Sequence, residues 1–142
     1  MTARKTLDEW LAEYSLSHCN PVNRAIHTVC VPVILFSIVA FLWSPEVFGV
    51  RLAYVLIILV APFYVRLGTK AFAVMAAQLM ICVLILGFRP RTLPLLAIAS
   101  GLFVFGWIAQ FVGHAIEGRR PKFFQDLTFL LIGPLWVVLK RP

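Results

Sequence analysis

The sequence predicts an all-α integral membrane protein, a helical bundle of four spans with an amphipathic helix before it and a short apolar helix after it. Hydrophobic residues make up 61% of the 142 residues and charged residues only 13%, whereas soluble domains contain about 45–50% apolar residues. Apolar stretches close to the ~20 residues that a helix needs to cross a bilayer recur along the chain. The length predicts one membrane domain over residues 1–142.

Residues 6–17 are predicted to form an amphipathic helix in the membrane interface. Thr6 and Glu9 fit a capping box, in which each side chain satisfies a free backbone donor. The apolar residues that follow share one helical face; they are Leu7, Trp10, Leu11 and Tyr14. So short a helix does not cross a bilayer, so it lies in the interface or packs against the bundle, and both are compatible. Asn20-Pro21 is predicted to end it and turn the chain.

Four apolar stretches follow, separated by turn residues. The predicted spans are residues 24–43, 47–65, 71–88 and 93–115. Asn23 is predicted to be the N-cap of the first span. A final apolar stretch, 127–139, is too short to cross a bilayer alone and contains Pro134, which indicates a re-entrant, interfacial or partly spanning helix.

Lysine and arginine are distributed unevenly over the predicted loops. One side of the membrane holds 8 of them: Arg4, Lys5, Arg24, Arg66, Lys70, Arg119, Arg120 and Lys122. The other side holds 3: Arg51, Arg89 and Arg91. Because basic residues favour the cytoplasmic side, the sequence predicts a multi-pass protein with a cytoplasmic N-terminus. The expected location is a bacterial inner membrane, or the endoplasmic reticulum if the source is eukaryotic.

The net charge of +7 does not indicate a nucleic-acid partner. The basic residues lie in short runs at the ends of apolar stretches, where they set topology and contact anionic membrane lipids. The three cysteines are odd in number and lack CxxC spacing, so neither a disulfide framework nor a structural zinc site is predicted. The oligomeric state is left open.

The chain has three histidines, and the predicted topology places all three on the cytoplasmic side. His18 and His27 flank the beginning of the first span, and His114 lies in the last turn of the fourth. Three neutral imidazoles at one level of a bundle match the ligands of one metal ion in kind and number. The alternative is that the histidines only cap and pack through hydrogen bonds.

Polar residues beside the histidines are predicted to support this site. Gln110, His114 and Glu117 share one face of the fourth span, and lipid cannot satisfy such a stripe, so it should point into the bundle. Glu117 is a metal ligand, an acceptor that orients a histidine, or the partner of an arginine; the last two are favoured. Asn23 is assigned to the same supporting set.

Three arginines near the histidines have two interpretations. Arg24, Arg119 and Arg120 are lipid anchors at the membrane surface, or they bind the carboxylate of a substrate beside the metal.

Two stretches resemble the membrane 2-hydroxy fatty acid dioxygenases, a family with yeast and bacterial members. The first reads HCNPVNRAIH over residues 18–27. The second reads GWIAQFVGH over 106–114 and is followed by RRP at 119–121. The similarity covers essentially the whole chain.

The resemblance implies an Fe(II)-dependent dioxygenase that shortens a 2-hydroxy fatty acid by one carbon with O₂, an α-oxidation. It implies that His18, His27 and His114 are the iron ligands and catalytic residues. A substrate's carboxylate and 2-hydroxyl would then chelate the iron. The chain departs from the family pattern at Cys19, where a second histidine is expected, and at Lys140, where a glutamate is expected.

Two other functions remain open from the residues alone. Three histidines and a water also describe catalytic zinc, so a zinc-dependent membrane hydrolase is the first alternative. The second is a non-enzymatic membrane protein for assembly or transport, in which the histidines bind no metal.

Overall fold

The structure, a computed structural model, describes residues 5–139 and is mainly helical, as predicted. The helices are α1 Leu7–Ser15, α2 Pro21–Trp43, α3 Leu52–Leu67, α4 Thr69–Phe88, α5 Leu95–Glu117 and α6 Thr128–Leu139. A hairpin of two short strands, β1 Glu46–Val47 and β2 Val50–Arg51, precedes α3, and a 3₁₀ turn, Lys122–Phe124, precedes α6. Two residues used in the sequence analysis lie outside the described residues. They are Arg4, which was counted for the membrane orientation, and Lys140, which departs from the family pattern.

The chain divides into two compact units. The terminal unit comprises the chain up to Pro32 and from Gly106 onward, and the central unit comprises Val33–Phe105. Helices α2 and α5 each contribute residues to both units. The single membrane domain stays a prediction.

Three helices are long and apolar enough to cross a membrane, namely α2, α4 and α5. They correspond to the first, third and fourth predicted spans. Helices α3 and α6 are apolar but shorter, so the four-span arrangement and the re-entrant placement of α6 stay predictions.

The predicted start of the second span is wrong, because residues 46–51 form the hairpin. Val47 pairs with Val50, and the two residues between them have positive φ, 52° at Phe48 and 77° at Gly49. Two consecutive residues with positive φ form the tight turn that matches strand twist and interrupt any helix. Helix α3 therefore begins only at Leu52.

The capping box predicted at the start of α1 is present. The Glu9 backbone N–H donates to Thr6 Oγ1 at 3.3 Å, and the Thr6 N–H donates to Glu9 Oε2 at 2.6 Å. The helix ends at Ser15, two residues before the predicted end.

Helix α1 packs against α6 in the terminal unit. Trp10 meets Phe129 edge to face, with ring centroids 5.1 Å apart, and Tyr14 meets Trp136 at 5.1 Å. The Trp136 indole N–H also donates to Ser15 Oγ at 2.8 Å. This is the packing arrangement anticipated for α1, and its interfacial placement stays a prediction.

Helix α2 begins earlier than predicted, and Asn23 is not its N-cap. Asn20 Oδ1 accepts the Val22 backbone N–H at 2.9 Å, which is the bond that an N-cap side chain makes. Pro21 follows at the first helical position, where its missing N–H costs nothing. Asn23 therefore lies inside the first turn, and its side chain is available for contacts with other elements.

Candidate metal centre

The three histidines meet inside the terminal unit. His18 lies in the turn after α1, His27 on α2 and His114 on α5. Their ring centroids are 4.3 Å apart for His18 and His27, 4.8 Å for His27 and His114, and 5.0 Å for His18 and His114. All three are buried, with at most 5% of their surface exposed. One potential ligand nitrogen from each lies within 4.8 Å of the other two.

Backbone carbonyls fix the orientation of two of these rings. His18 Nδ1 donates to the Tyr14 carbonyl at 2.7 Å, and His27 Nδ1 donates to the Asn23 carbonyl at 3.0 Å. Because a carbonyl only accepts, the proton in each ring is assigned to Nδ1 and the lone pair to Nε2. Metal-binding histidines commonly hold their second nitrogen in this way.

Two buried ring nitrogens of the cluster have no hydrogen-bond partner within residues 5–139. They are His18 Nε2 and His114 Nδ1. A buried polar atom without a partner is costly, and a metal ion is one group that would satisfy both. Burial lowers the pKa of His18 to about 4, so its imidazole is neutral at physiological pH, as a ligand must be.

The donor set fits one divalent transition-metal ion. Imidazole nitrogen suits zinc, iron, copper and nickel. Metal–nitrogen bonds of about 2.0–2.1 Å place two ligands at most about 4.2 Å apart. The ligand nitrogens of the three rings lie within 4.8 Å of one another, slightly more than that limit.

Glu117 contacts the segment that carries two of the histidines. Its carboxylate accepts the backbone N–H groups of Cys19 and Asn20, each at 2.9 Å, and the Asn23 side-chain amide at 3.0 Å. These bonds hold the turn next to His18 and the residue whose carbonyl holds His27. These contacts are compatible with the role of an acceptor that helps to orient the histidines, and the role of Glu117 stays a prediction.

Asn23 and Gly113 bring α2 and α5 close together beside the cluster. The Asn23 amide group also donates to the Ser17 carbonyl at 3.2 Å. Its Oδ1 occupies the space that a Cβ atom on residue 113 would need. Gly113 belongs to the GWIAQFVGH stretch that carries the family resemblance, but the sequence analysis assigned it no role.

Two aromatic rings pack against His18. The Tyr14 ring stacks on it at 4.4 Å with an interplanar angle of 2°, and the Trp136 ring lies 4.9 Å from it. A Cβ on Gly133 would lie 3.2 Å from the Tyr14 hydroxyl, so this glycine allows α6 to approach. Nothing in the sequence indicated that Trp136 would contact His18.

A cavity of about 300 Å³ opens beside His114. Its lining residues are Phe111, His114, Ala115, Gly118, Arg119, Arg120 and Pro121. Arg119 donates to the Leu16 carbonyl. Arg120 is exposed and has no ion pair among the described residues. Two of the three predicted substrate-binding arginines therefore line the same cavity as His114.

The remaining predicted residues lie nearby but outside the cavity lining. Arg24 is partly exposed on α2, and its charge helps to lower the pKa of His18, although burial is the main cause. Gln110 is 9% exposed and lies one helical turn before His114. The roles of both residues stay predictions.

Comparison with known proteins gives a family for this chain. A family model described as 2-hydroxy-palmitic acid dioxygenase Mpo1-like matches residues 4–140. A protein of Saccharomyces cerevisiae named 2-hydroxy-palmitic acid dioxygenase MPO1 is 32% identical over 133 residues, which cover 92% of this chain and 76% of the yeast protein. No solved structure gives a significant match. As the resemblance of its two motifs predicted, the chain belongs to the Mpo1-like family.

Proposed function

We propose that this protein is an Fe(II)-dependent dioxygenase that converts a long-chain 2-hydroxy fatty acid to the acid one carbon shorter. The observation that carries the proposal is the cluster of three buried histidines in a chain whose yeast relative is named a 2-hydroxy-palmitic acid dioxygenase. Three protein ligands leave coordination positions open, as mononuclear iron oxygenases require. The family favours iron over zinc.

The proposed reaction balances without an external reductant. A 2-hydroxy acid and O₂ give the shortened acid, CO₂ and water. The bond between the carboxyl carbon and C2 breaks, and C2 becomes the carboxyl carbon of the product. The four electrons that the substrate loses are accepted by O₂. Bound Fe(II) supplies the activation of O₂ that this exchange requires.

The protein's own residues have separate roles in this proposal. His18, His27 and His114 hold the metal, and the Glu117 carboxylate keeps the first two in position through the Cys19–Asn23 segment. The rings of Tyr14 and Trp136 pack against His18 and shield it from water.

Arg119 and Arg120 bind the substrate carboxylate in the cavity beside His114. A guanidinium group is opposite in charge to a carboxylate and matches its hydrogen-bonding geometry. Arg24 adds positive charge near His18.

The proposed setting is the cytoplasmic face of a membrane. The imbalance of 8 to 3 basic residues in the sequence and the three long apolar helices support a multi-pass topology with the N-terminus and the histidines on that side. The acyl chain of the substrate would reach the site from the bilayer. The membrane would be the bacterial inner membrane, or the endoplasmic reticulum in a eukaryote.

The test is O₂ consumption by purified protein loaded with Fe(II). We expect one O₂ consumed for each shortened acid formed from 2-hydroxyhexadecanoic acid. Hexadecanoic acid, which lacks the hydroxyl, should give little uptake, and zinc-loaded protein should give none. No uptake with any 2-hydroxy acid, in protein shown to contain Fe(II), would reject the dioxygenase; ester or amide hydrolysis by the zinc form would then favour a zinc hydrolase.

A further inference from the structure

An aromatic strip leads away from the cavity along one face of α5. Trp107, Phe111, His114 and Gly118 fall within an arc of about 60° when each residue turns the helix by ~100°. The Trp107 and Phe111 ring centroids are 5.8 Å apart. One face of α5 therefore carries a cluster histidine, a cavity and two large aromatic rings in sequence.

The 3₁₀ turn after Pro121 lies along this face and supplies a second row of rings. Phe123 packs edge to face on Trp107 with centroids 5.1 Å apart, and Phe124 lies 6.5 Å from Phe111. Phe111 and Phe124 remain 45% and 65% exposed. We call these four residues, Trp107, Phe111, Phe123 and Phe124, the aromatic strip.

The strip and the cavity together match an amphiphile with one anionic end. The cavity contributes two cationic side chains, and Arg120 is without an ion pair among the described residues. The strip contributes apolar rings and begins where the cavity ends, since Phe111 belongs to both. From His114 to Trp107 the helix rises about 10 Å, the length of roughly eight methylene groups.

We propose that the aromatic strip binds the carboxyl-proximal half of the substrate's acyl chain, so that Phe111 and Phe124 favour acids whose chain is long enough to reach along it. The proposal rests on the proposed function for the identity of the head group. A membrane phospholipid is the competing occupant, but His114 lines the cavity. A carboxylate bound there lies beside the histidine cluster, which is where a substrate is needed.

A photoreactive substrate analogue tests the location of the chain without requiring turnover. A 2-hydroxyhexadecanoic acid with a diazirine near the middle of its chain would be photolysed with protein prepared with and without Fe(II), and the adducts mapped by mass spectrometry. We expect adducts within residues 107–124 in both forms. Excess unlabelled 2-hydroxyhexadecanoic acid should remove them, and excess phospholipid should not.

Alanine variants then test the contribution of the rings to chain-length preference. Each buried methylene strengthens binding by roughly fourfold, so Phe111→Ala and Phe124→Ala should each raise KM about tenfold for the sixteen-carbon acid. For the four-carbon 2-hydroxy acid the rise should stay below about twofold, because its chain ends before it reaches these rings. Phe105→Ala is the matched control, since Phe105 is 60% exposed on α5 but about 120° around the helix from Phe111.

The two proposals fail in distinguishable ways. Adducts on α3 and α4, or adducts removed equally by phospholipid, would overturn the aromatic strip as the acyl site even in an active enzyme. Equal KM changes for both chain lengths would overturn its role in length preference. Adducts in the strip without O₂ consumption would support a fatty-acid site while rejecting the dioxygenase.

Discussion

The carboxylate of Glu117 accepts a hydrogen bond of 3.0 Å from the side-chain amide of Asn23. This bond joins the last residue of α5 to the first turn of α2. His114 lies three residues before Glu117, and the Asn23 carbonyl holds the His27 ring. With its bonds to the N–H groups of Cys19 and Asn20, Glu117 contacts the segment that carries His18 and His27, and it lies on the helix that carries His114.

Glu117→Gln should weaken metal binding by about 10–100-fold, the usual effect of removing a group that orients metal ligands. The glutamine side chain has an NH₂ group where the carboxylate has its second oxygen. An N–H donor that faces this group loses its acceptor, so one of the three hydrogen bonds is lost. Competition with a metal-binding dye measures the affinity. Glu46→Gln is the control, because Glu46 pairs with Arg51 in the hairpin of the central unit, outside the unit that holds the histidines. An unchanged affinity in Glu117→Gln would show that the carboxylate does not position the site.

Gly113→Ala should lower the free energy of unfolding by about 1–3 kcal/mol, a typical cost of overpacking. The added methyl group would collide with Asn23 Oδ1 and push α2 from α5, so metal affinity should fall as well. Thermal unfolding in detergent gives the stability. Gly101→Ala on the same helix meets nothing within 4 Å and should be neutral or slightly stabilising. Equal stability of the two variants would contradict this close approach.

The helices were largely predictable, because local signals specify them. Apolar runs of about twenty residues identified α2, α4 and α5, and the capping box identified the start of α1. The start of the second span was predicted wrongly, because Val47 and Val50 are as apolar as the residues of a span. The turn between them depends on the positive φ of Phe48 and Gly49, which hydropathy does not register.

The site was predictable in its residue types but not in its contacts. The sequence analysis selected the three histidines because the chain has no others. The predicted membrane topology placed them at one level of the bundle. The role of Glu117 could not be chosen, because its partners Cys19, Asn20 and Asn23 lie 94–98 residues away. Trp136 carried no signal at all, since its contact with His18 depends on how α6 packs against α1.

Arg120→Gln should raise KM for a 2-hydroxy acid about five- to tenfold and leave kcat within about twofold. A contact that anchors the carboxylate acts equally in the ground and transition states, so its loss appears in KM. Steady-state O₂ uptake measures both constants. Arg66→Gln is the control for general charge effects, because Arg66 is exposed at the end of α3 and was predicted on the same membrane face. A fall in kcat with constant KM would assign Arg120 to the chemical step instead.

Single cysteines engineered at positions 4 and 120 should react with a membrane-impermeant maleimide from the same, cytoplasmic side. The reason is the distribution of basic residues, 8 against 3. The background would carry serine at the native positions Cys19, Cys30 and Cys82, and labelling would compare intact cells with inverted vesicles. Reaction of the two positions from opposite sides would rule out this topology.

The metal content of anaerobically purified protein tests the histidine site most directly. Wild type reconstituted with Fe(II) should hold one metal ion per chain, measured by inductively coupled plasma mass spectrometry. His18→Ala, His27→Ala and His114→Ala should each lose most of it after gel filtration, because two ligands hold a labile divalent ion poorly. Circular dichroism would verify that the variants remain helical. Full metal content in all three folded variants would contradict the account.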